Sequence, residues 1–315
     1  MTITQRLRIY VQPPVRLKPK ALDLCIKRFH FCGPPLAEIA FIGVHEIIDD
    51  KYLSNFPNLR YLLCPATGLN HIQQGLLSTR GIKLYSLRDC MDEIKTTTST
   101  TELTFMLILL LMRQGHRLQS SLRNKLEFNR LDYEGHELSK YSVGIIGFGR
   151  IGSGVYRIIK ALGASVKVWD IDTQKLQSIP SEDQAKSMRS LLNNSQIISL
   201  HVNLSKDTFG LINSHAFSEM QESVFLINTA RAELVDQESL YHALLSDKLQ
   251  GYASDVHWNE EGSIKFDERL VELREGGKNI YLTPHIGGCT HEATEHTQHI
   301  ILSHFLRQAY PNQIS

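Results

Sequence analysis

The stretch that most constrains this chain is VGIIGFGRIGSGVYRIIKALGASVKVWDID, running from Val143 to Asp172. An apolar run that reads as a buried strand leads into Gly147, Gly149 and Gly152 at GxGxxG spacing. An amphipathic helix follows, and then a second strand ending in Asp170. Gly147 permits the tight turn, Gly149 lets backbone approach a pyrophosphate, and Gly152 lets helix and strand pack closely. The free N–H groups where the helix starts, at Gly149, Arg150 and Ile151, can receive phosphates. Asp170 stands 18 residues after Gly152, where a carboxylate accepts from both ribose hydroxyls of an adenosine and repels a 2′-phosphate, so the pattern favours NAD over NADP. By itself GxGxxG is only a glycine-rich turn; the strand, helix, second strand and terminal acid together make it a dinucleotide site.

The rest of the sequence places this unit second. Before residue 90, RIYVQ, EIAFIGV, LRYLLCP and IKLYSL read as strands alternating with helical segments. A second series starts at Tyr141 with YSVGIIGFG and continues through ASVKVWD, SQIISLHV, ESVFLINTA, LQGYASDV and NIYLTPH. Strands alternating with helices predict α/β lobes built on parallel sheets. Between the two series, KTTTSTTELTFMLILLLMRQGHR combines N-capping Ser and Thr residues with an apolar run, and predicts a linker followed by a long buried helix. A chain of 315 residues with 42% hydrophobic residues has room for two such lobes.

Charge and cysteine usage narrow the partners. The 34 basic and 33 acidic residues nearly cancel, leaving no broad positive field for nucleic acid or an anionic membrane and making a small molecule the expected partner. Cys25, Cys32, Cys64, Cys90 and Cys289 are scattered without a CxxC pair, which predicts free thiols and a reducing, cytoplasmic setting. The most apolar run, Leu103 to Met112, is far shorter than the roughly 18 residues that span a bilayer.

Four blocks in this order resemble the D-isomer-specific 2-hydroxyacid dehydrogenases. They are CPATGLNHI (Cys64 to Ile72), the glycine fingerprint, SLHVNLSKDTFGLIN with VFLINTARAELVDQESLYHALLSDKLQGYASDV, and LTPHIGG. The resemblance implies two doubly wound parallel-sheet domains: a flavodoxin-like substrate domain of residues 1–98, completed by 290–315, and a Rossmann NAD-binding domain of residues 99–289. It also implies a homodimer formed through the nucleotide lobe. Carried over by position, Arg231 is the substrate arginine, Glu260 the acid partner and His285 the acid–base histidine. Asp255 is the nicotinamide-amide acceptor, and Thr229, Ala230 and Gly287 join it beside the cofactor. His201, at a strand end, lines the cofactor crevice or simply packs there. Backbone N–H groups of Gly68 and Leu69 hold the substrate carboxylate. Ala232 and Glu261 depart from the family pattern, standing where glycine and proline are usual.

The chemistry needs these residue types. Reducing a 2-keto acid moves hydride to the carbonyl carbon, and the oxygen must gain a proton, which an imidazole supplies near neutral pH. A carboxylate orients that ring, and a guanidinium gives a planar, permanently charged donor to the substrate carboxylate and carbonyl. Each residue also has a plainer reading: Arg231 as a surface ion-pair residue, Glu260 as one acid of the loop NEEGSIKFDERLVELREGGK, and His285 as a turn histidine. The further histidines 291, 296, 299 and 304 lack HExxH spacing and are expected to decorate a helix rather than bind metal. An NAD(H)-sensing, corepressor-like binding protein would keep the fingerprint without needing an acid–base pair. The dehydrogenase uses the whole set.

Overall fold

The computed structural model describes residues 6–44, 46–115, 129–258, 260 and 265–311. The chain folds as two compact units. One runs to Thr97 and resumes at Cys289; the other begins at Thr98 and ends at Gly288.

The first unit carries a sheet of β1 (Leu7–Val11), β2 (Phe29–Phe31), β3 (Ile39–Phe41), β4 (Tyr61–Cys64) and β5 (Lys83–Ser86). All neighbours are parallel, in the order β2-β1-β3-β4-β5, which is flavodoxin-like. Four of these strands are the apolar runs of the sequence. The edge strand β2 was not expected, because its three residues follow directly from the helix Pro19–Arg28 and are too few to show a period of two. The helix His291–Ala309, capped by Thr290 accepting from the Ala293 amide, returns to this unit. Its Ile301, Leu302 and Phe305 bury against Ile9, Phe29, Phe41 and Leu63.

The second unit holds β6 (Ser142–Ile146), β7 (Ser165–Trp169), β8 (Ile197–Leu200), β9 (Val224–Asn228), β10 (Leu249–Ser254) and β11 (Ile280–Leu282). These are again all parallel, in the order β11-β10-β9-β8-β6-β7. Strands covered on both faces read as nearly continuous apolar runs, and β8 and β9 are buried throughout, with Ser199 and Asn228 their polar members. Side chains alternate: Phe225 and Ile227 meet Leu107 and Leu111 of the helix Ser99–Met112, whereas Leu226 faces Phe217 and Leu240 on the other side. The loop suspected at residues 259–278 contains a helix, Glu268–Glu275, started by the Asp267 carboxylate on the Leu270 amide. Among the described residues, no helix is long and apolar enough to cross a membrane.

Candidate active site

Sheet register lines the candidate residues up. Trp169, Ile146, Leu200, Asn228, Ser254 and Leu282 pair successively across β7, β6, β8, β9, β10 and β11. One residue beyond that row, at the C-terminal ends of the strands, stand Asp170, Gly147, His201, Thr229, Asp255 and Thr283. The strand order reverses between β6 and β8, and in an open parallel sheet ligands bind beyond the strand ends at such a reversal.

At this reversal the glycine fingerprint is tightly built. Gly147 has φ +96°, and a Cβ on it would stand 2.6 Å from the His201 carbonyl carbon; a Cβ on Gly152 would stand 2.1 Å from the Gly147 carbonyl oxygen. Gly149, the N-cap of the helix Arg150–Ala161, is the opposite case, with no heavy atom within 4 Å of its would-be Cβ. The open helix start at Gly149, Arg150 and Ile151 fits a pyrophosphate.

Asp170 is buried, and its oxygens also serve the loop: Oδ2 accepts from the Phe148 amide at 2.7 Å, and Oδ1 from the Asp172 amide at 2.9 Å. The Lys175 ammonium lies 3.4 Å from Oδ1. The acid expected to read the ribose therefore also fixes the backbone of the fingerprint. His201 bonds through Nε2 to the Ser199 hydroxyl at 2.8 Å, while its buried Nδ1 has no partner. Burial pushes its pKa down to about 3, so this imidazole is neutral.

On β9 and its exit, Thr229 shares a 2.8 Å hydroxyl contact with Thr104. Asn228, fully buried, accepts from the Ala230 amide at 3.0 Å and donates to the Arg231 carbonyl at 2.8 Å. The half-buried Arg231 guanidinium donates to the Ala230 carbonyl at 2.5 Å. Asn228 is thus the brace of the arginine loop, and in sequence it looked like one more strand residue.

Beyond β10 and β11 the two candidate acid–base residues meet. Asp255 accepts at Oδ1 from the Thr283 hydroxyl (2.6 Å) and the Ile286 amide (2.8 Å), and at Oδ2 from the Gly287 amide (2.7 Å). Its burial, which raises its pKa, outweighs those three bonds, which lower it. A Cβ on Gly287 would come within 2.9 Å of Asp255 Oδ2. The turn so held projects His285, which sits in the left-handed region at φ +52°, a conformation costing a non-glycine residue on the order of 1 kcal/mol.

His285 Nδ1 meets Glu260 Oε2 at 2.6 Å. A ring nitrogen facing a carboxylate carries the proton, which leaves Nε2 for exchange with a ligand. Glu260 also accepts at Oε1 from the His257 amide, at 2.6 Å. Burial pushes the Glu260 pKa up, but the bond and charge from His285 together with the His257 amide bring it below the ordinary carboxylate value. Glu261, the departure from the family pattern, lies outside the described residues.

Gly68 and Leu69 belong to the other unit, in the loop after β4, where Leu69 is buried and Arg88 Nε donates to the Thr67 carbonyl at 2.8 Å. The further histidines lie on the helix His291–Ala309. His296 Nε2 contacts the Glu93 carbonyl at 3.1 Å. His304, Cys90 and Glu93 bring potential ligand atoms within 4.8 Å of one another. Burial pushes the Cys90 thiol to about 11, and Arg307 lies 3.4 Å from the Glu93 carboxylate; a protonated thiol and a competing guanidinium give this junction the character of a packing contact.

The sequence profile of the D-isomer specific 2-hydroxyacid dehydrogenase, NAD binding domain, matches residues 105–287, more than half of the chain. The chain belongs to the D-isomer specific 2-hydroxyacid dehydrogenase family. Among its relatives in that family, a D-3-phosphoglycerate dehydrogenase of Haemophilus influenzae is 31% identical over 274 residues, covering 86% of this chain and 64% of the relative. A glyoxylate reductase of Thermococcus litoralis is 29% identical over 258 residues, covering 80% of this chain and 74% of the relative. The chain spans 58% and 55% of two further phosphoglycerate dehydrogenases, from Dictyostelium discoideum and Schizosaccharomyces pombe (the latter a putative one by name). In fold it resembles the D-lactate dehydrogenase of Aquifex aeolicus crystallised with NAD and lactic acid, with a TM-score of 0.78 and 24% identity over 97% of this chain and 96% of that one. The fingerprint thus lies within this family's NAD binding domain.

Proposed function

We propose that this protein is an NAD-dependent oxidoreductase that interconverts a D-2-hydroxy acid and its 2-keto acid. The observation that carries the reading is the 2.6 Å contact between Glu260 and His285, formed by the segments that leave the strand-end row at Asp255 and Thr283, the row that also holds Gly147 of the glycine fingerprint. NAD(H), when bound, supplies or accepts the hydride.

The chain's own residues do the rest. His285 Nε2 gives a proton to the substrate oxygen in reduction and takes it back in oxidation. Glu260 accepts from Nδ1 and so holds the ring with Nε2 turned to the substrate. Arg231 is assigned the substrate carboxylate and carbonyl, and the amides of Gly68 and Leu69 the carboxylate, both on the family resemblance. Gly149, Arg150 and Ile151 receive the pyrophosphate, with Gly147 allowing the turn and Gly152 the close helix packing; Asp170 receives the adenosine ribose, and His201, Thr229, Ala230, Asp255 and Gly287 line the remainder. The resemblance also motivates a homodimer: the helix Ser99–Met112 leaves Met106 and Leu109 exposed in an apolar patch with Phe105 and Leu110, and sedimentation measures the assembly directly.

The deciding experiment follows NADH absorbance with 2-keto acids of graded length and charge. Turnover of one or more supports the dehydrogenase. Tight NADH binding without turnover of any of them rejects it in favour of a cofactor-sensing protein.

A further inference from the structure

His257 holds both members of the acid–base pair at once. Its amide donates to Glu260 Oε1 at 2.6 Å. Its ring Nε2 lies 2.7 Å from the Thr283 carbonyl, and a nitrogen facing a carbonyl must carry the hydrogen, so the ring is the donor. That same carbonyl accepts the His285 amide at 3.0 Å, closing the tight turn in which His285 adopts φ +52°. The ring is buried, 4% exposed, and lies edge-on to Phe266 with centroids 4.9 Å apart at 75°. On the other side of the turn, Asp255 receives Thr283, Ile286 and Gly287. A left-handed histidine persists only where its surroundings over-determine it, and here two clamps do so.

We infer that His257 is a positioning residue for the proposed reaction: its backbone sets the Glu260 carboxylate and its imidazole sets the turn that carries His285. It touches neither substrate nor cofactor in this role. The inference rests on the dehydrogenase reading for its kinetic consequence only; the geometry it describes belongs to the folded chain.

Two variants separate positioning from bulk packing. His257→Phe keeps a ring against Phe266 and loses the donor; His257→Gln keeps an N–H donor in similar reach. With the keto acid that turns over, His257→Phe is expected to lower kcat about 10- to 100-fold, the scale of an ångström-level misplacement. KM and the NADH Kd should stay within about threefold, and His257→Gln should recover most of kcat. Equal kcat in wild type and His257→Phe overturns the inference, as does a His257→Gln as impaired as His257→Phe. A second readout needs no turnover: in protein labelled with ¹⁵N-histidine, the His285 ring resonances should broaden or split in His257→Phe and stay single in His257→Gln. Unchanged His285 resonances in a folded His257→Phe reject the positioning role. If wild type reduces no keto acid, the dehydrogenase reading fails by itself while the spectrum still decides about His257.

Discussion

Glu260 accepts from His285 Nδ1 at 2.6 Å, and the two residues come from the segments following neighbouring strands, 25 positions apart in sequence. The contact orders the imidazole and leaves Nε2 as its exchanging nitrogen. His285→Ala should reduce kcat for keto-acid reduction by roughly 10²- to 10⁴-fold, the usual contribution of a positioned general acid. The NADH Kd, measured by fluorescence, should change little. Retained activity in this variant would rule out the proton-donor role. Glu260→Gln should be milder, because the ring and its proton remain.

The same pair makes stability depend on acid. Glu260 has a folded pKa below its unfolded value, so the unfolded chain binds its proton first as pH falls. Its contribution is complete above the unfolded carboxyl value of about 4.3 and is lost as pH drops through the lower folded value. The difference in Tm between wild type and Glu260→Gln should therefore be largest near pH 6 and shrink towards pH 3. A difference that grows on acidification contradicts the ion-paired assignment.

His201 works in the same sense, in a window that opens at higher pH. Its folded pKa is pushed down to about 3 by burial, against roughly 6.5 in an unfolded chain. Between those values the unfolded state holds the extra proton, so acidification through this window destabilises the fold. His201→Gln should flatten the fall in Tm between pH 6.5 and 4 relative to wild type. An unchanged slope would mean that the ring titrates with solvent in the folded state.

Two glycines of the fingerprint should separate stability from binding. Gly152→Ala forces a methyl to within 2.1 Å of the Gly147 carbonyl oxygen, an overpacking expected to cost about 1–3 kcal/mol or more. Gly149→Ala meets no heavy atom within 4 Å and exchanges one N-cap residue for another, costing about 1 kcal/mol or less. Thermal melts should rank Gly152→Ala well below Gly149→Ala. NADH titration should nevertheless find Gly149→Ala weakened at least tenfold, because its methyl occupies the approach to the helix start. NADH affinity equal to wild type in Gly149→Ala would place the phosphates elsewhere.

Much of the fold was legible because parallel strands buried on both faces leave continuous apolar runs, as in SQIISLHV and ESVFLINTA. Edge strand Phe29–Phe31 was not, since pairing with β1 alone defines it. The helix Glu268–Glu275 was hidden by its mostly charged sequence, ERLVELRE, in which a short amphipathic stripe resembles a solvated loop. At the site, Asn228 and His257 left no local signal: an asparagine ending a strand and a histidine after DV acquire their tasks only from the carbonyls and amides they face.

The order of the elements, the dinucleotide fingerprint and the residue types available for acid–base work are written locally, because strand periodicity, glycine spacing and side-chain chemistry are properties of neighbours along the chain. Which carboxylate faces which imidazole is set by the folded chain. The register of six strands sets Asp170, Gly147, His201, Thr229, Asp255 and Thr283 one step past a common row. Asp255 and His257 then hold a strained turn from two sides so that His285 meets Glu260. Those are contacts between residues far apart in sequence, fixed by hydrogen-bond geometry that no local pattern encodes.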